Sequence, residues 1–336
     1  MSSSTDLAAP FNTEFAHKRK ISFKNVCLAI SLLLFCFVLI YPIIAYTLYN
    51  RVELEATSCS DCTSSVVVNG YELNYREAGV ASSLPVVFLL HGGPAHSFES
   101  FKDGFDFLSL HTRVVFYDQR GSGHSQVKTN KNDYSIEELV EELEELRVQV
   151  CNEKIIIIGH SFGGVVAQRY AIKYGSNVDK VILVGSPVIN NGFTSKFFLK
   201  YIGPTLYSFA LGIPPKTSTK ADQWFTESLL DEKTRLFNQK NIDFLKESGP
   251  CRFVPWREIS LSVAGSTFDN ELKSLSAPFM FIYGVADIKF TGKATANYLC
   301  SLVPNCQAIE MKNSGHWPYL EEPSLFQSIV LDFVGH

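Results

Sequence analysis

The sequence predicts an α/β fold in which helices cover both faces of a mainly parallel, eight-stranded sheet. Short apolar segments with high strand propensity alternate with segments of helical periodicity along most of the chain. These apolar segments lack the polar alternation of a half-exposed sheet, which is typical of parallel strands buried on both faces. The chain has 336 residues, 46% of them hydrophobic, so it can form one large domain with a sizeable core.

The predicted strands begin with a hairpin. Asn69-Gly70 is a dipeptide with a strong preference for a two-residue hairpin turn, and it separates the segments Ser65–Val68 and Tyr71–Glu77. Apolar segments then predict the remaining strands, at Pro85–Leu90, Arg113–Tyr117, 154–158, Lys180–Gly185, Pro278–Tyr283 and Ala308–Met311. Together they supply the eight strands of the sheet.

Helices are predicted between the strands. Ser135, with Glu138 three residues later, forms a capping box that starts a helix. Apolar side chains then recur at helical spacing, at Ile136, Leu139, Val140, Leu143, Leu146 and Val150. The glutamates between them are expected to form a solvated face. Further helices are predicted at Val165–Tyr174 and Ser324–Val334.

The alternation of strands and helices is interrupted between 188 and 275. This interval holds helical fragments rich in Phe, Tyr and Trp instead of a buried strand. A loop of such length without secondary structure is uncommon in a compact domain. We therefore expect a helical cap at 188–275, inserted after the sixth strand of a core formed by 64–187 and 276–336. The cap would lie over the carboxyl edge of the sheet, where open α/β sheets bind ligands.

The N-terminal segment differs from the rest of the chain in composition. Residues 1–25 are polar and then basic, and no charged residue occurs in the apolar segment 26–49. Because about 20 apolar residues span a bilayer, we expect a basic tail at 1–25, a transmembrane helix at 26–49 and a linker at 50–63. A cleaved signal peptide is the main alternative, but its apolar region is shorter and no small-x-small cleavage site follows here. A buried soluble helix is the second alternative, which is disfavoured because the segment precedes the domain and has no polar face.

The distribution of charge predicts the orientation of this helix. A basic cluster, residues 17–20 with Lys24, precedes it, whereas Arg51 is balanced by Glu53 and Glu55 on the other side. By the positive-inside rule, the tail would be cytoplasmic and the domain extracytoplasmic or lumenal. The chain is thus expected to be a single-pass membrane protein.

The cysteines bear on the compartment. Outside 26–49 their number is even, which suits an oxidising compartment, although sequence does not determine their pairing: Cys59, Cys62, Cys151, Cys251, Cys300 and Cys306. Cys59 and Cys62 predict a local disulfide or two free thiols, not a redox centre, because no βαβ unit surrounds them. The sequence has no N-x-[ST] sequon, which is unusual for a eukaryotic lumenal domain and unremarkable in a bacterium.

The segment Ile155–Gly164, IIIIGHSFGG, predicts a serine nucleophile on a sharp turn between a strand and a helix. It combines a buried strand with the G-x-S-x-G pattern, whose small residues allow a tight turn that presents the Ser161 hydroxyl to a base. The alternative is a glycine-rich turn whose serine only hydrogen-bonds the backbone.

A serine hydroxyl needs a histidine to accept its proton and a carboxylate to orient that histidine. Asp287 follows the strand in FMFIYGVAD, and His316 follows the last strand in NSGHWP, so both are expected at the same sheet edge as Ser161. The alternatives are a solvated loop histidine at His316, and Asp269, which lacks the strand context, as the acid.

The oxyanion that forms during acyl transfer needs N–H donors already in place. We expect one from the backbone of Phe162, the residue after the nucleophile. The other is expected from Gly93, in the HGGP segment that follows the third strand. A simple tight turn at 92–94 is the alternative.

These motifs together resemble the α/β-hydrolase fold: HGGP, YDQRGSGHS, GHSFGG, the aspartate after the next-to-last strand and GHW. Within that fold, HGGP followed by DQRG-x-G-x-S is most similar to the proline iminopeptidase family, which includes the tricorn-interacting aminopeptidases. The resemblance covers about residues 65–335. It implies the triad Ser161, Asp287 and His316, and removal of an N-terminal residue, often proline, from short peptides.

The sequence departs from the usual pattern of that family at two positions. Ala95 stands where the first motif normally continues to HGGPG, and Phe162 stands where many proline-specific members have Trp. The family holds the free amine of its substrate with glutamates of the cap. Four glutamates here are candidates, and the sequence does not distinguish between them: Glu227, Glu232, Glu247 and Glu258.

Three functions are consistent with these residues. The first is a membrane-anchored aminopeptidase; the second is a membrane-anchored carboxylesterase or lipase, whose acyl chain the aromatic cap would hold. The third is a non-catalytic binding protein on a hydrolase scaffold, which an intact triad disfavours. The partner is expected to be a small peptide or ester. A net charge of −4 gives no indication of a nucleic-acid partner, no metal or cofactor is expected, and the oligomeric state stays open.

Overall fold

The structure is a computed structural model of the chain. It describes residues 31, 40–59, 62, 64–100, 102–189, 213–229, 251–288 and 290–335.

The predicted sheet is confirmed. The described residues form one eight-stranded sheet in the order β1-β2-β4-β3-β5-β6-β7-β8. The pairs β1–β2 and β2–β4 are antiparallel, and all other neighbours are parallel. The strands are β1 Ser65–Val68, β2 Tyr71–Gly79, β3 Val86–Leu90, β4 Arg113–Tyr117, β5 Ile155–His160, β6 Val178–Val184, β7 Phe279–Gly284 and β8 Cys306–Met311.

Helices cover the sheet on both faces, as predicted. In the described part of the chain they are α1 (residues 40–50), α2 Lys102–Phe105, α3 Ile136–Val150, α4 Phe162–Lys173, α5 Ser218–Leu229, α6 Phe253–Ser262, α7 Asp269–Leu272, α8 Lys293–Leu302, α9 Pro318–Glu321 and α10 Pro323–Gly335. The four isoleucines of β5 show the layering. Ile155 and Ile157 pack in the apolar cluster that contains α3 and α4, whereas Ile156 and Ile158 pack in the one that contains α10.

The interval between β6 and β7 is helical where the structure describes it. Helices α5, α6 and α7 lie in the described residues 213–229 and 251–275 of the predicted cap, and those residues contain no strand. The other parts of the predicted cap, 190–212 and 230–250, lie outside the described residues. The division into core and cap therefore stays a prediction, and we call the described part, 213–229 with 251–275, the insert.

The predicted membrane location requires correction. Of the residues that the structure describes, none belongs to a helix long enough and apolar enough to cross a membrane. This finding overturns the membrane span predicted at 26–49 and the single-pass topology with an extracytoplasmic or lumenal domain. Residues 1–30 and 32–39 lie outside the described residues.

The described end of the predicted span packs against protein. Ala45 and Tyr49 of α1 and Val52 after it are almost fully buried. The Tyr49 ring lies 6.3 Å from the ring of Trp224 and 5.6 Å from that of Phe253, both in the insert. Apolarity at Tyr49 and Val52 thus reflects burial in the apolar cluster of the insert.

The predicted linker also makes ordered contacts. Glu53 forms a parallel β-bridge with Thr217 of the insert, and Thr57 forms an antiparallel bridge with Val127. Residues 45–57 thus run from the insert to the loop after β4, and we call them the N-terminal strap. Two disulfides are present, and the remaining described cysteines are thiols: the pairs are Cys59–Cys62 and Cys300–Cys306, and the thiols are Cys151 and Cys251.

Candidate active site

The predicted nucleophile lies on a strained turn between β5 and α4. Ser161 has φ 50° and ψ −121°, a backbone conformation that residues other than glycine rarely adopt. The turn also needs glycine beside it, because a Cβ at Gly163 would lie 2.1 Å from the carbonyl oxygen of Leu90 in β3. The Ser161 N–H donates to the Val184 carbonyl at 2.9 Å, which joins the turn to the end of β6.

The predicted base and acid are hydrogen-bonded to each other. His316 Nδ1 lies 2.9 Å from Asp287 Oδ2, and both side chains are almost fully buried. The other carboxylate oxygen, Oδ1, accepts from the Ile288 N–H at 2.7 Å and from the Thr291 hydroxyl at 2.8 Å. These two donors fix the carboxylate, so His316 Nδ1 donates to Oδ2 and its Nε2 keeps the lone pair that a general base needs.

The three predicted residues meet at one edge of the sheet. A Cβ at Gly185, the residue after Val184, would lie 3.0 Å from His316 Nδ1 and 3.1 Å from Asp287 Oδ2. Val184 in turn accepts the Ser161 N–H. The parallel strands β5, β6, β7 and β8 therefore bring Ser161, Asp287 and His316 together at their carboxyl ends, as the sequence predicts.

The two predicted oxyanion donors belong to the two segments next to Ser161. Phe162 opens α4, where the first N–H groups have no partner within the helix. The loop 91–98 follows β3, and a Cβ at Gly92 would lie only 2.9 Å from Ser161 Cβ. Gly93, the next residue, has φ 120°. The segments that carry both candidate amides thus adjoin Ser161, and their role as oxyanion donors stays a prediction.

A buried aspartate that its sequence context did not single out holds the loop 91–98. Asp118 is fully buried, and its carboxylate accepts from the Phe98 N–H at 2.8 Å, the His124 N–H at 2.9 Å and the Asn74 amide at 2.8 Å. Burial raises the pKa of Asp118, and these hydrogen bonds oppose that rise. Asp118 is the aspartate of the DQRG-x-G-x-S segment, which served in the sequence analysis only as evidence for the family resemblance.

The other end of this loop is held by the residue after Asp118. The Gln119 side chain donates to the His91 carbonyl at 3.1 Å, and the Gln119 N–H donates to His91 Nε2 at 3.1 Å. His91 Nδ1 therefore carries the proton and donates to the Gly92 carbonyl at 2.9 Å. Burial lowers the pKa of His91 to about 4, so the ring is neutral at neutral pH.

The insert contacts the same loop through Arg252. The Arg252 N–H donates to the Ala95 carbonyl at 3.0 Å, and its guanidinium donates to the Gly123 carbonyl at 3.2 Å. Asp222 of α5 accepts from this guanidinium at 3.2 Å. Ala95, one of the two departures from the family pattern, has φ 64°. The insert therefore holds the backbone at Ala95 through the hydrogen bond from Arg252.

The candidate amine-binding glutamates fall into two groups. Glu232 and Glu247 lie outside the described residues. Glu227 is exposed and accepts from the Gln223 amide at 3.0 Å, and Glu258 accepts from the Arg257 guanidinium at 3.0 Å. Among the described residues, no group of three or more His, Cys, Asp or Glu side chains is placed to hold a metal ion.

Comparisons with known proteins agree with this fold. A family model described as the alpha/beta hydrolase fold matches residues 85–323. A proline iminopeptidase of Saccharolobus solfataricus is 42% identical over 106 residues, which cover 31% of this chain and 34% of that relative. A proline iminopeptidase of Heyndrickxia coagulans is 26% identical over 284 residues, which cover 80% of this chain and 96% of that relative.

A solved structure shows the same fold. An esterase from Exiguobacterium antarcticum superposes with a TM-score of 0.65 at 18% identity, covering 81% of this chain and 99% of that one. At this identity the likeness concerns the fold alone. The predicted resemblance to the proline iminopeptidases is confirmed by the sequence relatives.

Proposed function

The chain belongs to the α/β-hydrolase family, and from this premise we propose that it is a serine aminopeptidase that releases N-terminal residues, proline foremost, from short peptides. The observation that carries the proposal is the 2.9 Å hydrogen bond between His316 and Asp287 at the sheet edge that also holds the strained Ser161. Site geometry, and not the fold, supports the chemistry.

In the proposed first half-reaction, Ser161 Oγ attacks the carbonyl carbon of the first peptide bond while His316 Nε2 takes the hydroxyl proton. Asp287 stabilises the imidazolium that forms. The amides of Gly93 and Phe162 donate to the oxyanion. The C–N bond then breaks, the leaving amine takes the proton from His316, and an aminoacyl ester remains on Ser161.

In the second half-reaction, water attacks this ester. His316 removes a proton from the water, a second tetrahedral intermediate forms, and the bond to Ser161 Oγ breaks. The serine recovers its proton from His316, and the free amino acid leaves. The proposed nucleophile, base, acid and oxyanion donors for both steps are all groups of this chain, and the second step adds only water.

The relatives support a peptide substrate, whereas the two described candidate glutamates support an alternative. Glu227 is exposed and hydrogen-bonded to Gln223 of its own helix, and Glu258 is paired with Arg257, so these contacts connect neither glutamate to Ser161 or His316. The alternative is a carboxylesterase that acts on acyl esters, for which no amine binder is needed. The proposed nucleophile, base and oxyanion donors serve either reaction.

The experiment compares a proline anilide with p-nitrophenyl acyl esters on the wild type and on Ser161→Ala. We expect turnover of the anilide, and a loss of at least about a thousandfold in the variant. Turnover of esters alone would establish the alternative and reject the peptidase. Labelling by a fluorophosphonate probe is expected in the wild type and not in Ser161→Ala; equal labelling would reject Ser161 as nucleophile.

A further inference from the structure

The side chain of His160 connects the predicted nucleophile to the predicted base. His160 ends β5 and is covalently bonded to Ser161, and the residue is 6% exposed. Its Nε2 lies 3.0 Å from the carbonyl oxygen of His316. Because a carbonyl oxygen only accepts, Nε2 carries a proton and donates it. One residue thus joins Ser161 by a peptide bond and His316 by a hydrogen bond.

Ring packing reinforces this hydrogen bond. The His160 ring lies 4.8 Å from the ring of His316, 5.3 Å from that of Tyr319 and 6.3 Å from that of Trp317. Such centroid separations are those of favourable aromatic pairs. The His316 side chain therefore packs directly against the end of a strand at the centre of the sheet.

The loop that carries His316 has a second set of anchors on its other side. Glu322 accepts from the Asn313 N–H at 2.9 Å and from the Ser314 hydroxyl at 2.6 Å, and Glu321 accepts from the Gly315 N–H at 2.7 Å. These carboxylates hold residues 313–315 from the side of α9 and α10. The carbonyl of His316 itself accepts a hydrogen bond from His160.

We propose that His160 is a positioning residue that sets the separation between Ser161 Oγ and His316 Nε2. This inference rests on the proposed serine hydrolase function and concerns that same site. The hydrogen bond from His316 Nδ1 to Asp287 sets the rotation of the His316 ring about its side-chain bonds. The hydrogen bond from His160 instead fixes the position of the His316 backbone, from which that ring projects. Loss of the His160 donor leaves the His316 carbonyl without this bond and lets the base move away from the serine.

Two variants separate hydrogen bonding from space filling. His160→Leu fills part of the same volume without a donor. His160→Gln restores an N–H at the end of a side chain of similar reach. Tyr170→Phe is the control, because it removes a buried hydroxyl that donates to Glu144 at 2.5 Å, between α3 and α4 and away from the sheet edge.

The measurements are the second-order rate constant for fluorophosphonate labelling of Ser161, and kcat and KM with the preferred substrate. We expect His160→Leu to lower the labelling rate constant and kcat by about a hundredfold with KM nearly unchanged, the size of effect that a 1 Å displacement of a reacting group produces. His160→Gln is expected to recover most of this loss, to within about tenfold of the wild type. Tyr170→Phe should label at the wild-type rate.

Each result decides between the two claims. A wild type that does not label at Ser161 rejects the proposed function, whatever the variants do. A wild type that labels, with His160→Leu labelling at the same rate, rejects the positioning role alone. Equal losses in His160→Leu and His160→Gln would also reject it, because the donor would then have no effect. A variant that lowers the melting temperature but keeps its labelling rate assigns His160 to stability only.

Discussion

Replacing Asp287 with asparagine should inactivate the enzyme by changing the tautomer of His316. The Ile288 N–H and the Thr291 hydroxyl both donate to Oδ1 of Asp287. An asparagine must direct its oxygen toward these two donors, which places its NH2 group against His316 Nδ1. The ring nitrogen then has to accept, so its proton moves to Nε2. The atom that should take the Ser161 proton is thereby occupied.

The expected loss follows from this change in proton position. In a serine protease of a different fold with the same kind of triad, an aspartate-to-asparagine change that leaves the geometry intact lowers kcat by about 10⁴. We expect a similar loss here, which corresponds to about 5 kcal/mol in the activation free energy at 1.36 kcal/mol per factor of ten. The assay is kcat with the preferred substrate, together with the rate of fluorophosphonate labelling at neutral pH.

Asp269→Asn provides the matched control. Asp269 is the rival acid in the sequence, but its Oδ2 accepts from the Tyr298 hydroxyl at 2.5 Å, and it starts α7. Its replacement is expected to change kcat by less than about threefold, because the carboxylate that holds His316 Nδ1 is that of Asp287, and an asparagine oxygen at 269 can still accept from Tyr298. The reasoning is refuted if Asp287→Asn keeps more than a tenth of the wild-type kcat, or if Asp269→Asn loses as much.

Three further predictions concern stability. Ala95 has φ 64° and is fully buried. In a urea titration, the unfolding free energy of Ala95→Gly should therefore lie within about 1 kcal/mol of the wild-type value, whereas that of Ala95→Val should be lower by about 2 kcal/mol or more. Equal urea midpoints for the two variants would contradict this. Tyr49→Ala should cost about 3 kcal/mol or more, because it empties a buried aromatic site, whereas Ile43→Ala, at a side chain 58% exposed, should cost less than about 0.5 kcal/mol; equal costs would show that the strap does not contribute. The pKa of His91 is about 4 in the fold, below the 6.5 of an ordinary histidine, so the folded state holds the ring neutral where the unfolded state binds a proton. The contribution of His91 to the free energy of unfolding is therefore complete above pH 6.5 and is lost as the pH falls toward 4, by up to about 3 kcal/mol. A wild type and His91→Gln with parallel unfolding free energies over that pH range would contradict this assignment.

The parts of the fold that sequence predicts are those encoded by local patterns. The four consecutive isoleucines of β5 predict a strand buried on both faces, and Asn69-Gly70 predicts the hairpin whose two turn residues have φ 47° and 75°. Ser161, Asp287 and His316 are predicted because each lies in the loop or turn that follows a recognisable strand. Chain order then places all three at one sheet edge.

What sequence did not predict depends on contacts between distant segments. Asp118 looks like any loop aspartate until the fold brings Asn74, Phe98 and His124 around it. Hydropathy alone did not distinguish lipid from protein as the partner of Tyr49, at the end of the apolar segment, whose ring is buried against Trp224 and Phe253. The position of β4 between β2 and β3 in the sheet, out of chain order, likewise depends on contacts between distant segments.

The N-terminal strap has a practical consequence for shortened versions of the protein. A chain trimmed to begin at residue 64, where the sequence places the start of the core, would retain every residue of the proposed mechanism. It would also expose the rings of Phe253 and Trp224 that Tyr49 now covers, together with the other apolar neighbours of Val52 in the insert. The exposed apolar patch would make such a fragment prone to aggregation. Its poor solubility would then be mistaken for instability of the catalytic domain.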